Sequence, residues 1–233
     1  MADASTDELM AYDGEYEVRL KIGGNTFGMP VIRSISTANQ LCDLKFEIGK
    51  TACGQIDAVI EKPSINFGRM AQIIPYTKRI DCDPEGEWQQ RGVYYIDPRV
   101  TEIDGGYDLL HVTGFDGMLK TSRDYGNLGL TYPAKTLNVV KKIAELSGLE
   151  VEAQTQNILN DGQTIPEPEY YAGREILGFV AIMYGGSFMM DRFGRLKLVN
   201  MANLLTKDEI ITERILSNRY AVPIEVGGVL IVV

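Results

Sequence analysis

Short runs of alternating apolar and polar residues fill the first half of the chain and constrain its fold more than any other feature. In the first run, Tyr16, Val18, Leu20 and Ile22 occupy every second position, which is the spacing of a strand with one buried face. Similar runs recur about every ten residues, separated by clusters of glycine and aspartate. The predicted strands are 16–22, 26–35, 44–49, 55–60, 69–76, 93–96, 101–103 and 107–113. Strands at this spacing predict a β-barrel or a β-sandwich.

The pattern becomes helical after Phe115. A first helix is predicted from Leu137 to Ser147, with apolar residues along one face. Pro133 suits an early helical position and Gly148 suits the stop. The face comprises Leu137, Val140, Ile143, Ala144 and Leu146. After this helix, residues 149–153 alternate like a strand.

A second helix and a hairpin are predicted further along the chain. The polar residues 154–169 are expected to form a loop. The helix runs from Arg174 to Tyr184 and ends at Gly185 and Gly186. Residues 187–200 predict a hairpin that turns at 191–194, with Gly194 at a position of positive φ.

Together these patterns predict an α+β, β-rich fold in four parts. We expect a flexible N-terminus over 1–14, a β-barrel-like domain over 15–115 and a small α+β domain with two helices over 116–210. Residues 211–233 would be the start of a second, truncated barrel. The apolar strand at the end would expose an edge, so it either completes a sheet in this chain, pairs with another subunit or marks where a longer protein was cut.

Composition excludes several partners. The chain has 32 acidic and 23 basic side chains, a formal charge of −9. Nucleic acids and anionic membranes are bound by clustered lysine and arginine, so we expect neither. The sequence contains no run of 18 apolar residues, so no transmembrane helix is predicted. The acidic first 17 residues lack the apolar core of a signal peptide.

The sequence offers no convincing metal or disulfide site. Cys42, Cys53 and Cys82 are odd in number and lack metal-ligand spacing, so they are interpreted as reduced thiols. Residues 81–92 have acidic side chains spaced as in a calcium loop, but Gly92 stands where the bidentate glutamate is required. We therefore expect no metal and no cofactor.

Catalytic candidates are few. His111 is the single histidine, and no G-x-S-x-G motif is present. Asp104, Asp108, Asp116 and Asp124 could supply a carboxylate pair for glycoside cleavage if the fold brought two of them together. Acidic residues are common in turns, so the sequence predicts no catalytic residue and no enzyme.

Six residues are candidates for subunit contacts. Arg174 and Glu175 lie in the first turn of the second helix, where an arginine opposes the helix dipole and needs a specific partner. Tyrosines are favoured at interfaces. The six candidates are Tyr94, Tyr95, Arg174, Glu175, Leu230 and Val232.

Five motifs in order resemble those of phage tail hub, or baseplate hub, proteins of the prophage type. The motifs are G-x-Y-Y-I within 90–97, x-D-x-M-L-K at 115–120, Y-P-x-T … I-A-x-x-x-G over 132–148, Y-T-x-R-E-x-L … G-G-x-F over 171–188, and x-D-x-x-G-x-L-x-L ending at Leu198. Their order and spacing agree from about Tyr16 to Asn200. One departure is Ala172, where the family often has threonine.

The resemblance implies a structural part of a virion tail, made in the bacterial cytoplasm. Such proteins form homotrimers in which two barrels per subunit make a ring that joins the tail tube to a spike or fibre. The implied partners are other copies of the chain and the tube, distal tail, spike or fibre proteins. Two alternatives stay open: a tail-associated cell-wall hydrolase, and a receptor- or carbohydrate-binding module that uses the tyrosines.

Overall fold

A computed structural model describes residues 15–38, 48–81, 86–104, 107–200, 224–226 and 229–231. The described chain forms two compact units. The described residues of the barrel unit fall within 1–38, 56–114 and 221–233, and those of the α+β unit fall within 39–55 and 115–220. These units differ from the expected domains 15–115 and 116–210 in three respects. Residues 48–55 and Phe115 group with the α+β unit, and the strands at 224–226 and 229–231 group with the barrel unit. The expected flexible segment 1–14 lies outside the described residues.

The barrel unit is built on one antiparallel, barrel-like sheet that is nearly closed. Its strands are β1 (Tyr16–Ile22), β2 (Asn25–Gly28), β3 (Ile32–Ala38), β4 (Gln55–Glu61), β5 (Gln72–Arg79), β6 (Gln89–Gln90), β7 (Tyr94–Asp104) and β8 (Tyr107–Asp116). They pair in the order β2-β1-β5-β7-β8-β4-β3, and β6 pairs with β5. The β-rich fold predicted from the alternating runs is confirmed.

The alternation of apolar and polar residues predicts which side chains form the core of this sheet. Val18, Leu20 and Ile22 are buried, whereas Arg19 and Lys21 between them are exposed. β1 lies antiparallel to β5 with Leu20 opposite Pro75, so the apolar face of each strand meets the same interior. Burying each large aliphatic side chain contributes roughly 1.5–3 kcal/mol, which explains why one face of the sheet dominates the sequence pattern.

Four predicted strands differ from those observed. The strand expected over 26–35 is divided by a 3-10 helix at Met29–Val31, because Pro30 has no N–H to donate to a neighbouring strand. The strands expected over 93–96 and 101–103 are one strand, β7. The strand expected from 69 begins at 72 instead, after a turn in which Met70 has a φ of 63°. Most of the strand expected over 44–49 lies outside the described residues.

The α+β unit packs helices against a small sheet. Its elements are a 3-10 helix (Gly117–Ser122), β9 (Ala134–Lys135), α1 (Thr136–Ser147), β10 (Glu150–Val151), α2 (Ala153–Leu159), β11 (Thr164–Ile165), α3 (Gly173–Met183), β12 (Gly186–Met190) and β13 (Arg195–Asn200). β13 is central, parallel to β10 and antiparallel to β12. β9 and β11 form a separate antiparallel pair. Apolar residues from both long helices and from β12 and β13 make its core.

Both predicted helices and the predicted hairpin are confirmed. α1 ends at Gly148, which has a φ of 63°, and the hairpin turns at Gly194 with a φ of 78°. Pro133 precedes α1 instead of entering it, after a cis peptide bond with Tyr132. Leu146 is exposed, and Val139 is buried on the same helix instead.

α2 lies in the segment 154–169 that the sequence predicts to be a loop. The strand predicted over 149–153 is shorter than expected, because Ala153 is already the first residue of α2. This helix has seven residues, of which Thr155 and Leu159 are buried. Two buried positions are too few for a helical period to stand out against a polar background. The Thr155 hydroxyl accepts a hydrogen bond from the Leu198 N–H at 2.8 Å, so a tertiary contact supports the helix.

The described end of the chain forms an antiparallel pair, β14 (Ile224–Val226) and β15 (Val229–Ile231). β15 lies alongside β3, and both strands group with the barrel unit. That residues 211–233 begin a second barrel stays a prediction. The other residues of that segment, 211–223, 227–228 and 232–233, lie outside the described residues. Among the described residues, no helix has the length and apolar character needed to cross a membrane.

Candidate assembly surfaces

The two candidate tyrosines of β7 point in opposite directions. Tyr94 is fully buried in the barrel core, and a Cβ at Gly92 would lie 2.5 Å from its ring. Tyr95 is half-buried and lies opposite Gln72 of β5. Successive side chains of a strand alternate between faces, so both could not share one surface. The Tyr94 side chain therefore cannot contact a partner, which corrects its place among the interface candidates.

Arg174 has the specific partners that its position at the start of α3 requires. Its guanidinium donates to the Thr51 carbonyl oxygen at 2.8 Å and to the Ser122 hydroxyl at 3.4 Å. Both partners lie in the α+β unit. The arginine therefore ties α3 to the segment around Thr51.

Glu175 is also engaged within its own unit. Its carboxylate accepts a hydrogen bond from the Ala172 N–H at 2.7 Å. This contact is one half of a capping box. The other half needs a side-chain oxygen at position 172, which alanine lacks, so the helix start is capped from one side.

The segment from Ile48 to Gly54, here called the strap, is bound along the edge of β12. The Gly49 N–H donates to the Gly186 carbonyl at 2.7 Å, and the Phe188 N–H donates to the Lys50 carbonyl at 3.1 Å. Close to Gly49 the strap crosses α3 at Gly178, where a Cβ would lie 2.7 Å from the Gly49 carbonyl oxygen. The absence of a side chain at Gly178 is therefore what allows this crossing.

Asp116 holds the other end of the strap. Its carboxylate accepts hydrogen bonds from the Gly54 N–H at 2.8 Å, the Met118 N–H at 2.9 Å and the Cys53 thiol at 3.3 Å. The side chain is buried, and burial raises its pKa, although the hydrogen bonds and the charge of Arg174 act in the opposite direction. Burial, followed by the nearby carboxylate, also raises the pKa of Cys53 to about 12.

These contacts give Asp116 a structural role. Its carboxylate already has three donors, which leaves little capacity to bind a substrate. Asp124 accepts from the Gly126 N–H at 2.7 Å in an exposed turn, Asp108 is exposed on β8 and His111 is half-buried on the same strand. The described residues contain no group of three His, Cys, Asp or Glu side chains that could hold a metal ion.

The candidates at the end of the chain are less fully described. Leu230 lies in β15, paired with Glu225 of β14. Val232 lies outside the described residues.

A surface that the sequence reading missed lies on α3. The helical spacing in the sequence predicts one apolar face, made of Ile176, Leu177, Val180, Ala181 and Tyr184. The first four of these are buried and Tyr184 is half-buried. The opposite side is apolar as well and is exposed: Phe179, Ile182 and Met183. The sequence does contain a sign of this exposed apolar surface. A helix at a protein surface has one polar face, but residues 176–183 contain no polar side chain.

Comparison with known proteins identifies the fold. No family model and no curated protein sequence matches the chain. Among solved structures, the 43 kDa tail protein of prophage MuSo2 from Shewanella oneidensis matches 78% of this chain and 54% of its own at 14% identity, with a TM-score of 0.53. A tail protein from Neisseria meningitidis matches 79% of this chain and 50% of its own at 14% identity, with a TM-score of 0.52. The chain thus spans about half the length of each, and it has the fold of prophage tail proteins.

Proposed function

We propose that this chain is a structural component of a phage or prophage tail, and that it forms the hub ring that joins the tail tube to a spike or fibre. The observation that carries the proposal is the shared fold with two prophage tail proteins over more than three quarters of the chain. The five ordered sequence motifs, which extend from Gly92 to Leu198, also support it.

The chemistry of the described residues supports a role without catalysis. The buried carboxylate of Asp116 is held by the strap and by the 3-10 helix that follows β8. The guanidinium of Arg174 is bound to a main-chain carbonyl of the strap. Charged groups placed to hold chain segments together, and bound within their own unit, fit a building part better than a hydrolase.

The proposed partners follow from a place in the tail. Other copies of the chain would form the ring as a homotrimer, and the tube, distal tail, spike or fibre proteins would bind its two ends. The virion tail is then the location of the mature protein. A net charge of −9 would also let DNA pass the ring without binding, since like charges repel.

The proposal is tested by solution mass and by imaging. Multi-angle light scattering is expected to give three times the chain mass of 25.9 kDa, and negative-stain micrographs are expected to show rings. A protein that stays monomeric, both alone and with the tail proteins of the same prophage, would contradict the ring. Clearing of purified peptidoglycan in a zymogram would contradict the role without catalysis.

A further inference from the structure

An apolar surface, here called the α3 face, lies on the outside of the α+β unit. It comprises Phe179, Ile182 and Met183 of α3, Tyr170 and Tyr171 in the segment before the helix, and Ile48 of the strap. The exposed fractions are 46, 55 and 47% for the three helix residues, 90 and 44% for the tyrosines, and 47% for Ile48.

The members of the α3 face lie next to one another in space or in sequence. Phe179, Ile182 and Met183 are three and four positions apart, the spacing of neighbours on one side of a helix. The ring of Tyr171 meets that of Phe179 edge to face, with centroids 4.9 Å apart. Ile182 lies directly against Gly49, which brings the adjacent Ile48 to the same surface.

The size of the α3 face is that of an interface. Its exposed area is roughly 650 Å² if a side chain of this size is taken as about 200 Å². The largest apolar patch on a typical monomer is about 300–600 Å² and is often functional. A standard interface buries about 800 Å² per partner, with an apolar centre and a polar rim. The α3 face is therefore large enough to form the centre of one.

Tyr170 adds an independent observation. Its φ is 61°, a left-handed conformation that is costly for a bulky residue. Because 90% of its surface is exposed, packing inside the chain offsets little of that cost. Strained residues of this kind persist at binding sites, where the bound state uses the side chain that the strain presents.

The net charge of the chain limits how a second copy can bind. Two copies that each carry −9 repel one another, so they approach at least cost through surfaces without charge. Residues 176–183 of α3 are uncharged, and the charges of Arg174 and Glu175 at the start of the helix are bound within the α+β unit.

We propose that the α3 face is the surface through which one copy of this chain binds another. The inference rests on the proposed function, because a ring of identical subunits joins two different surfaces of neighbouring copies, and the α3 face is proposed as one of them. A second copy can bury the exposed side chains of Phe179, Ile182 and Met183 on a stretch of α3 that carries no charged residue. Large aromatic side chains at the centre of the surface are also the residue type that carries most of the energy of an interface.

The experiment compares self-association of four proteins by light scattering and sedimentation velocity over a dilution series. The first is the unaltered chain, and the second carries Phe179→Ser and Met183→Ser. The third is Tyr170→Gly, which removes the ring and the backbone strain together. The fourth is Ile65→Ser, a matched control, since Ile65 is 45% exposed in the barrel unit. Circular dichroism and thermal midpoints are recorded for each.

We expect the double variant to weaken self-association about 100-fold or more, which is the effect of losing one strong interface residue. Tyr170→Gly is expected to weaken self-association while its circular dichroism spectrum stays that of the unaltered chain, which distinguishes a lost contact from misfolding. Ile65→Ser is expected to associate like the unaltered chain.

Two outcomes would overturn the inference, and they differ in what else they reject. If the unaltered chain forms oligomers and both α3-face variants assemble equally well, the ring stands and the α3 face binds something else, such as another tail protein or a different segment of this chain. If the unaltered chain is monomeric at its highest soluble concentration, the self-assembling ring is rejected together with this inference.

Discussion

Gly178 lies where α3 crosses the strap. Replacing it with alanine has two effects of opposite sign on the free energy of unfolding. In a helix interior, alanine is more favourable than glycine by about 1 kcal/mol. In this structure, however, a Cβ at position 178 would lie 2.7 Å from the carbonyl oxygen of Gly49. That neighbour is backbone, and Gly49 is held by its own hydrogen bond to Gly186 at 2.7 Å, so it cannot move away at low cost.

The magnitude follows from the difference between the two effects. Inserting a methyl group into a well-packed contact costs about 1–3 kcal/mol, and the gain in helix propensity offsets about 1 kcal/mol of this. The expected result of Gly178→Ala is a loss of about 1 kcal/mol in the free energy of unfolding. For a chain of this size, that corresponds to a fall of about 2–4 °C in the melting temperature.

Urea unfolding followed by circular dichroism measures this change. Gly68→Ala is the control, because a Cβ at Gly68 would meet no atom within 4 Å and its φ is not positive. We expect the control to stay within about 0.5 kcal/mol of the unaltered chain. The reasoning is refuted if Gly178→Ala raises the free energy of unfolding by about 1 kcal/mol, since the helix would then gain its propensity without meeting the strap.

Three further predictions concern the charged and reactive groups of the α+β unit. Burial raises the pKa of Asp116 above its usual value of 3.8, so the folded chain binds this proton more tightly than the unfolded chain does. The contribution of Asp116 to the free energy of unfolding therefore falls as the pH rises from 3.8 through the folded-state pKa. Asp116→Asn should remove this pH dependence from urea midpoints measured at a series of pH values, and an unchanged pH dependence would contradict the assignment. The Asp191 carboxylate accepts from the N–H groups of Phe193 and Arg195, each at 2.9 Å, so Asp191→Ala should lower the free energy of unfolding by about 2 kcal/mol, and a change below about 0.5 kcal/mol would show that the turn does not need it. The pKa of Cys53 is raised to about 12, so its alkylation by iodoacetamide at pH 8 should be at least tenfold slower in the folded chain than in urea, as peptide mass spectrometry would show; equal rates would place the thiol in solvent.

The sequence alone was most informative where a residue acts through its immediate neighbours. The alternation in β1 predicted which side chains would be buried because strand geometry determines the face on which each side chain lies. Gly148 was expected to end the first helix and Gly194 to turn the hairpin with a positive φ, and both glycines have a positive φ. These features depend on local backbone geometry, which a short stretch of sequence determines.

The sequence was least informative where two distant segments meet. Tyr94 and Tyr95 were grouped by residue type, and only the pairing of β7 with β5 shows that one is buried and the other faces outward. Similarly, α2 was missed because its support includes a hydrogen bond to Leu198, which is 43 positions away from Thr155.

The same division applies to the candidate site. The position of Arg174 in a helix start was sufficient to predict a specific partner, because the helix dipole acts locally. The identity of that partner, the Thr51 carbonyl 123 positions away, was decided by the strap. The apolar character of α3 was likewise visible in the sequence, but which half of it stays exposed depends on the packing around the helix. Local geometry therefore determined the strands, the two longer helices and the turns of this protein, whereas contacts between segments far apart in the chain decided which side chains remain available to bind a partner.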